Sequence, residues 1–508
     1  MKRPAAAWLA GIVVVGTALR VWGLGSEPFW LDEAHSANYT RLSIGELWSF
    51  ESPFDRVNPP GYILLLKIWS QAGRSDEWLR MSSVIAGILT IPVVYLIGRR
   101  IADRRLGLVS AAVVAVSGYH IRMSQEVRAY AAIALLTAVA LLAVCQLLAE
   151  PDGDDATRIR PGRPWSVRYE GLGLNRPLTW TDAAWTAYAL AAGVAFHLHN
   201  TGVAITLAAN LAVGAWWLRS RPRPARFAHN WLLANVAVVL IWTPWVPGLI
   251  TQLGLVTESW WVPAPTVMSV TESFATLVIP SFNAALPWSG RSIGAVVLVL
   301  ATAGLVWRGI RSLEARFRVV TALFALVLPV MELVFSVRRP IFLVRTLVGV
   351  LVPVSVALAA AALRSRWPAV AAGVLAATVA VGSVTYHTSF EKTGWDEAAE
   401  WIATGAGTDD LILVQPGNTV VAFEHYFDGD QQVVSVPFRI PGREDRGSSV
   451  TESDRRLIAE LAAGRTVWLV LNNPEGSESL EPLLTRLGTE LTRLAPWDLD
   501  VVRFEVSP

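Results

Sequence analysis

The stretch SQEVRAYAAIALLTAVALLAVCQLLA, residues 124–149, decides the class of fold. Its last 21 residues, 129–149, carry no charged side chain. A helix of that length matches the ~30 Å thickness of the hydrocarbon core of a bilayer. Charged residues, Glu126 and Arg128, come immediately before it. The pattern therefore predicts a membrane-spanning helix that begins at a polar loop.

The whole chain has the composition of a membrane protein. Its 508 residues are 53% hydrophobic and only 17% charged, and the mean hydropathy is +0.43, whereas soluble domains are about a quarter charged. The charges are uneven: residues 385–508 carry 21 acidic and 10 basic side chains, and the rest carry 20 and 33. We therefore predict a basic membrane-embedded domain, residues 1–386, and a water-soluble domain, residues 387–508. The single cysteine, Cys145, cannot form an intrachain disulfide and says nothing about compartment.

Apolar stretches along residues 1–386 predict about eleven transmembrane helices. The first follows Lys2 and Arg3 without a small-residue cleavage pattern, so we interpret it as an uncleaved span. The apolar run 60–73 is too short for a full span, and we interpret it as a helix at the outer membrane surface. The predicted spans are residues 6–24, 82–98, 106–121, 129–149, 181–198, 202–218, 230–250, 292–307, 319–336, 342–363 and 367–386.

Basic residues predict how these spans are oriented. If the run 60–73 lies at the outer membrane surface, all the arginine-rich connections between spans fall on the same side of the membrane as Lys2 and Arg3. Together with these two residues, they hold 21 of the 33 basic side chains that precede residue 385. The positive-inside rule places that side in the cytoplasm, so the outer loop 25–80 and residues 387–508 are predicted outside. The connections are residues 99–105, 150–180, 219–226, 308–318 and 364–366.

Residues 387–508 have the pattern of a small α/β domain. Helical patterns over residues 396–403 and 454–463 alternate with short apolar strands, which is typical of layered α/β structure. The domain has no glycine-rich phosphate loop, so nothing marks it as nucleotide-binding. No nucleic-acid partner is expected. The predicted strands are residues 411–414, 433–436, 466–471 and 501–506.

Residues suited to chemistry gather in the predicted outer loops. Asp32 and Glu33 lie in the first loop, Glu126 and Arg128 in the second, and Arg345 at the outer end of the tenth span. Adjacent carboxylates at a membrane edge are either simply solvated, or a general base or cation ligand beside a lipid headgroup. Arg128 either anchors a helix end at the interface or presents a cation to a phosphate.

Other polar and aromatic residues give weaker signals. His197 and His199 would diverge on a helix, which disfavours a metal site there, although a divalent cation elsewhere is left open. Trp260 and Trp261 either belong to an interfacial aromatic belt or stack on a sugar.

The order of the motifs resembles a known family. Asp32-Glu33 in a long outer loop, then Asn58-Pro59-Pro60 before a short apolar helix, then residues 124–130 are similar to one branch of the GT-C glycosyltransferases. This branch contains the protein O-mannosyltransferases and the aminoarabinose transferases. The match is strong over about residues 1–150 and weak over the later spans.

The resemblance implies a GT-C-like membrane domain that transfers a sugar with inversion from a polyprenyl-phosphate lipid. Mannose is the leading sugar, and arabinose, galactose and glucose stay open. The acceptor is a protein or a cell-envelope glycan, and the location is a bacterial inner membrane. Asp32 matches the base that deprotonates the acceptor hydroxyl, and Glu33 matches the second acid. Arg128 matches the arginine at the donor phosphate, with Glu126 beside it, and Arg345 lies on a similar late helix.

Asn58 stands where this family often has histidine, and we predict substrate contacts at Asn58, Tyr130, His199 and Trp261. Two other functions stay open: a transporter or flippase for a lipid-linked sugar, and a non-catalytic cell-wall scaffold. Transporters usually have internal repeats and ionisable residues near the bilayer midplane. Here the ionisable residues cluster at the outer ends, with Glu332 the main exception, which favours a transferase.

Overall fold

The chain forms two compact units. The first comprises Met1–Leu24, Ser43–Gly73 and Trp78–Phe390, and the second comprises Gly25–Leu42, Arg74–Glu77 and Glu391–Pro508. The computed structural model describes residues 3–48, 58–149, 180–220, 225–255, 262–280, 288–437, 439, 449–472 and 479–508.

The first unit is built from apolar helices. Within the described ranges, eight helices are long and apolar enough to cross a bilayer, and a bent pair makes up to nine. Helices also occupy the first and fifth predicted spans, as α1 (Arg3–Val21) and α9 (Trp180–Leu198). The helices of this unit, α1 and α3–α17, are Arg3–Val21, Ile44–Trp48, Gly61–Trp69, Asp76–Ile101, Arg104–Ala115, Gly118–Ser124, Tyr130–Ala149, Trp180–Leu198, Val203–Arg219, Ala225–Trp242, Val246–Leu255, Val267–Val278, Trp288–Ser312, Ala315–Ser336, Leu351–Leu363 and Pro368–Ser389.

The apolar run 60–73 forms the short helix α4, Gly61–Trp69. Its nine residues extend about 14 Å, less than half the thickness of the hydrocarbon core. This length agrees with the prediction that the run does not cross the membrane. Residues 150–179 of the predicted cytoplasmic connection 150–180 lie outside the described residues.

The third predicted span, 106–121, is not one continuous helix. It is broken between α6, Arg104–Ala115, and α7, Gly118–Ser124, with a bend of 62°. A break frees backbone carbonyls, and in a lipid environment each unsatisfied carbonyl costs several kcal/mol. Side chains from elsewhere satisfy them: the buried Arg20 guanidinium donates to the carbonyls of Val114 and Ala115, at 3.1 and 3.0 Å.

Two further contacts fix the direction of the chain after the break. A Cβ atom on Gly118 would lie 2.2 Å from the carbonyl oxygen of Gly382, so only glycine allows α7 to approach α17 this closely. The Gln125 side-chain amide donates to the carbonyls of Arg20 and Trp22, at 3.0 and 2.8 Å. The loop that leads into α8 is therefore tied to the end of α1.

The second unit contains a five-stranded mixed sheet in the order β2-β1-β3-β5-β4. β1 pairs in parallel with β2 and β3, and β5 pairs antiparallel with β3 and β4. The helices of this unit are α2, Leu31–Tyr39, and α18–α21, which are Trp395–Gly405, Val420–Tyr426, Glu452–Ala462 and Glu481–Leu487. The strands β1–β5, in chain order, are Leu411–Gln415, Gln432–Ser435, Thr466–Asn472, Gly488–Leu494 and Leu499–Val506.

The predicted fold class, a polytopic helical membrane protein with a C-terminal α/β domain, is confirmed. The two helices and four strands predicted in residues 387–508 are all present, each shifted by at most a few residues. α19, α21 and β4 were not predicted from the sequence. Residues 25–42, predicted as part of the membrane domain's outer loop, pack in the compact unit that holds the C-terminal residues.

Candidate active site

The two acidic residues of the first loop lie in the first turn of α2, where carboxylates complement the helix dipole. Asp32 is half-buried. Glu33 is completely buried, and its Oε2 accepts a hydrogen bond from Lys392 Nζ at 2.5 Å. The same Oε2 lies 3.4 Å from the backbone nitrogen of Trp30, the residue that precedes α2. Adjacent in sequence, the two carboxylates therefore occupy different environments, and only the Asp32 side chain is partly accessible.

Glu126 lies in the loop between α7 and α8 and is almost fully buried. Its Oε1 accepts a hydrogen bond from Arg122 Nε at 3.3 Å, one helical turn earlier. The Arg122 guanidinium in turn lies 4.0 Å from the ring centroid of Phe390, within the range of a cation–π contact. Arg122 is thus an ion-pair partner of Glu126 that the sequence analysis missed, although their (i, i+4) spacing was a usable signal.

Arg128 follows Glu126 just before α8. Its backbone N–H donates to the Glu126 carbonyl at 2.8 Å, and its half-exposed guanidinium lies 5.8 Å from the ring centroid of Tyr130. The Tyr130 ring lies 6.0 Å from the ring of His199. Arg128, Tyr130 and His199, which the sequence analysis named separately, therefore form one cluster.

The charge of Arg345 also acts on His199. Burial first, and then the positive charges of Arg128 and Arg345, lower the pKa of His199 to about 3. The imidazole is therefore neutral near pH 7, and its Nδ1 lies 2.8 Å from the Thr201 hydroxyl oxygen and accepts from the Thr201 N–H at 3.2 Å. Two cations, a phenol and a neutral imidazole together suit an anionic ligand that also presents hydroxyl groups.

The segment that contains Asn58 reaches the same end of α9. A Cβ atom on Gly61 would lie 2.4 Å from the carbonyl oxygen of His197, so α4 begins in direct contact with the end of α9. His197 Nε2 lies 2.6 Å from the carbonyl oxygen of Ile241 and joins two helices. Trp261, predicted to contact sugar, lies outside the described residues.

No group of three or more histidine, cysteine or acidic side chains is placed to hold a metal ion among the described residues. Lys392, the buried partner of Glu33, is a further residue that the sequence analysis missed. The two residues are 359 positions apart, and no local pattern connects them.

Comparison with known proteins adds a family match over part of the chain. Residues 57–155 match the model of the family described as dolichyl-phosphate-mannose-protein mannosyltransferase. This range contains Asn58, Glu126, Arg128 and Tyr130. No curated relative was found by sequence comparison.

Solved structures share the fold over nearly the whole chain. ArnT from Cupriavidus metallidurans in the apo state superposes with a TM-score of 0.63 at 15% identity, over 98% of each chain. The same protein bound to undecaprenyl phosphate gives 0.62 at 14% identity, again over 98% of each chain. The oligosaccharyltransferase AglB from Archaeoglobus fulgidus, in complex with an inhibitory peptide and a dolichol-phosphate, gives 0.54 at 11% identity, over 99% of this chain and 74% of AglB.

The predicted resemblance to the GT-C glycosyltransferases is confirmed by the family match and by the fold. The predicted enzyme class, a glycosyltransferase, agrees with the family match over residues 57–155. The chain is a multi-pass membrane protein.

Proposed function

We propose that this membrane protein is a glycosyltransferase that takes its sugar from a polyprenyl-phosphate lipid and transfers it to an acceptor outside the cytoplasm. The observation that carries the proposal is the grouping of Arg128 with Tyr130 and His199, where the charge of Arg345 also acts on the histidine. The fold shared with ArnT supports it, because ArnT binds undecaprenyl phosphate.

The donor phosphate would be the leaving group of the reaction. A sugar phosphodiester needs its developing negative charge stabilised by cations, and it does not need a strong acid. Arg128 and Arg345 supply such cations, and a planar guanidinium can hold two phosphate oxygens at once. Glu126 would keep the preceding turn in place through Arg122.

Asp32 is the proposed base. A carboxylate that takes the proton of an acceptor hydroxyl makes that oxygen a better nucleophile. The oxygen then attacks the anomeric carbon on the face opposite the phosphate, so the configuration at this carbon is inverted. Half-burial of Asp32 is compatible with access by an acceptor, whereas Glu33 is enclosed with Lys392.

Mannose is the proposed sugar because the description of the matched family names dolichyl-phosphate-mannose. The proposed acceptor is a protein or a cell-envelope glycan, and the proposed location is a bacterial inner membrane.

Purified protein, added to membranes that lack it, should transfer labelled mannose from synthetic polyprenyl-phosphate mannose and not from a nucleotide sugar. Transfer of a different sugar would contradict the proposed sugar, mannose, and leave the rest of the proposal standing. Movement of the intact donor across vesicle membranes without transfer would indicate a flippase.

We further propose that the N-terminus is cytoplasmic and that residues 387–508 form an extracytoplasmic domain. Cysteines introduced at Ala264 and Ala403, both exposed, should react in intact cells with a membrane-impermeant maleimide. A cysteine at the exposed Ala102, in the arginine-rich segment 99–105, should react only after permeabilisation. The buried Cys145 is replaced by alanine to remove background labelling. Labelling of Ala102→Cys in intact cells would reverse the proposed orientation.

A further inference from the structure

The segment that carries Asp32 packs with a distant part of the chain. Residues 25–42 lie in the same compact unit as residues 391–508. The carboxylate that acts as the base must be held in a defined orientation towards the acceptor hydroxyl whose proton it takes. The contacts that fix α2 within this unit therefore bear on catalysis, even where they do not touch substrate.

Lys392 and Glu33 form an ion pair that is shielded from water. Nζ and Oε2 are 2.5 Å apart, and the two side chains are 4% and 0% exposed. Burying two charges costs desolvation free energy. In many proteins the attraction between the two charges only offsets this cost. Loss of one partner is far more harmful, because it leaves a buried charge uncompensated. The pair consequently penalises any arrangement of α2 that separates Glu33 from Lys392.

Lys392 holds the chain on both sides of the start of α2. Its backbone N–H donates to Glu27 Oε2 at 2.9 Å, before the helix. Its ammonium group binds Glu33 Oε2, in the first turn, and this oxygen also lies 3.4 Å from the Trp30 nitrogen. Asp32 lies between these attachment points, so its backbone is fixed from both directions.

A second contact supports the same segment. The Tyr426 hydroxyl accepts from the Phe29 N–H at 2.6 Å and donates to Asp76 Oδ2 at 2.6 Å. His425 Nε2 lies 2.9 Å from Asp76 Oδ1, and the His425 ring stacks on Phe29 at 4.8 Å. The entry to α2 is therefore held by α19 as well as by Lys392.

We propose that Lys392 is a positioning residue for Asp32, and that one task of the C-terminal domain is to hold α2 in its catalytic orientation. This inference rests on the proposed function of Asp32 as the base. It assigns different roles to the two adjacent acids: Asp32 takes the proton, and Glu33 is the anchor through which Lys392 acts.

The test compares Lys392→Met, Glu33→Gln and the double variant. In Lys392→Met the buried Glu33 carboxylate loses its counter-charge, so it must take up a proton or turn towards water, and α2 is released. We expect kcat to fall about ten- to a hundred-fold, because small misplacements of a catalytic group have effects of this size, with KM for the donor nearly unchanged. The double variant buries no uncompensated charge and should recover most of the loss. Lys67→Met is the matched control, since Lys67 is a half-buried lysine on α4 and should behave as wild type.

Hydrogen exchange of residues 31–39 provides a readout that does not depend on activity. Exchange should be faster in Lys392→Met than in wild type, and slow again in the double variant. Unchanged exchange in Lys392→Met, or faster exchange with an unchanged kcat, would overturn the positioning role. A wild-type protein that transfers no sugar from any polyprenyl-phosphate donor would instead refute the proposed function, while the exchange data would still decide whether Lys392 anchors α2.

Discussion

Replacement of Asp32 by asparagine is expected to lower the turnover number by ~10²–10⁴-fold, the contribution of a typical general base. Asparagine keeps the size and shape of the side chain but cannot accept the proton of the acceptor hydroxyl. The loss should appear in kcat, because the base acts in the transition state and the donor is bound by other groups. Single-turnover transfer from a labelled donor, together with equilibrium donor binding, measures the two quantities separately.

Two variants serve as controls for Asp32→Asn. Glu272→Gln removes a half-buried carboxylate from α13 and should leave turnover unchanged, which shows that loss of an acid elsewhere is harmless. Glu33→Gln is expected to act through the orientation of α2, since its carboxylate is enclosed with Lys392. An active Asp32→Asn protein beside an inactive Glu33→Gln protein would assign the base to Glu33.

The membrane part of the fold could be predicted because lipid imposes a simple rule on sequence. A long run without charge, such as residues 129–149, has few alternatives to a spanning helix. The broken span was harder to predict, because its break depends on donors from remote helices: Arg20 to the carbonyls of Val114 and Ala115, and Ser383 to that of Val116. Pairings of this kind are set by tertiary structure.

The soluble domain shows the same division between local and remote information. Buried strands such as β1 and β3 are continuous apolar runs and were predicted. β4, Gly488–Leu494, lies at the edge of the sheet with most of its side chains exposed, so it carries no alternating pattern that marks a strand.

The individual residues of the candidate site could be predicted from the sequence, but the contacts between them could not. Arg128, Tyr130, His199 and Arg345 were each named from loops and helix ends. The structure brings the first three together, and the charge of Arg345 acts on His199. Their roles stay predictions. The pairing of Glu33 with Lys392 was not predictable, because only the folded unit brings the two residues into contact.

Substitution of Arg128 by alanine is expected to weaken donor binding by roughly ten- to a hundred-fold. A charge-assisted contact to a phosphate oxygen contributes ~1.5–3 kcal/mol, and each 1.4 kcal/mol corresponds to about a factor of ten in affinity. Arg128→Lys should restore only part of this affinity, since lysine keeps the charge but loses the planar two-point geometry. The measurement is binding of a polyprenyl-phosphate analogue to purified protein, with Arg364→Ala as a control that removes an exposed arginine at the predicted cytoplasmic end.

The histidine at the cluster gives this prediction a second readout. Because positive charge disfavours protonation of His199, removal of the Arg128 charge should raise its pKa from about 3 towards the ordinary value, while burial keeps it low. A titration of the histidine resonances with and without the substitution measures this shift. If Arg128 merely anchors the start of α8, its half-exposed contacts are worth little, and the alanine variant should bind donor normally. Normal affinity in a folded Arg128→Ala protein, with the expected shift at His199, would reject Arg128 as the phosphate ligand and leave Arg345 as the cation that binds the donor.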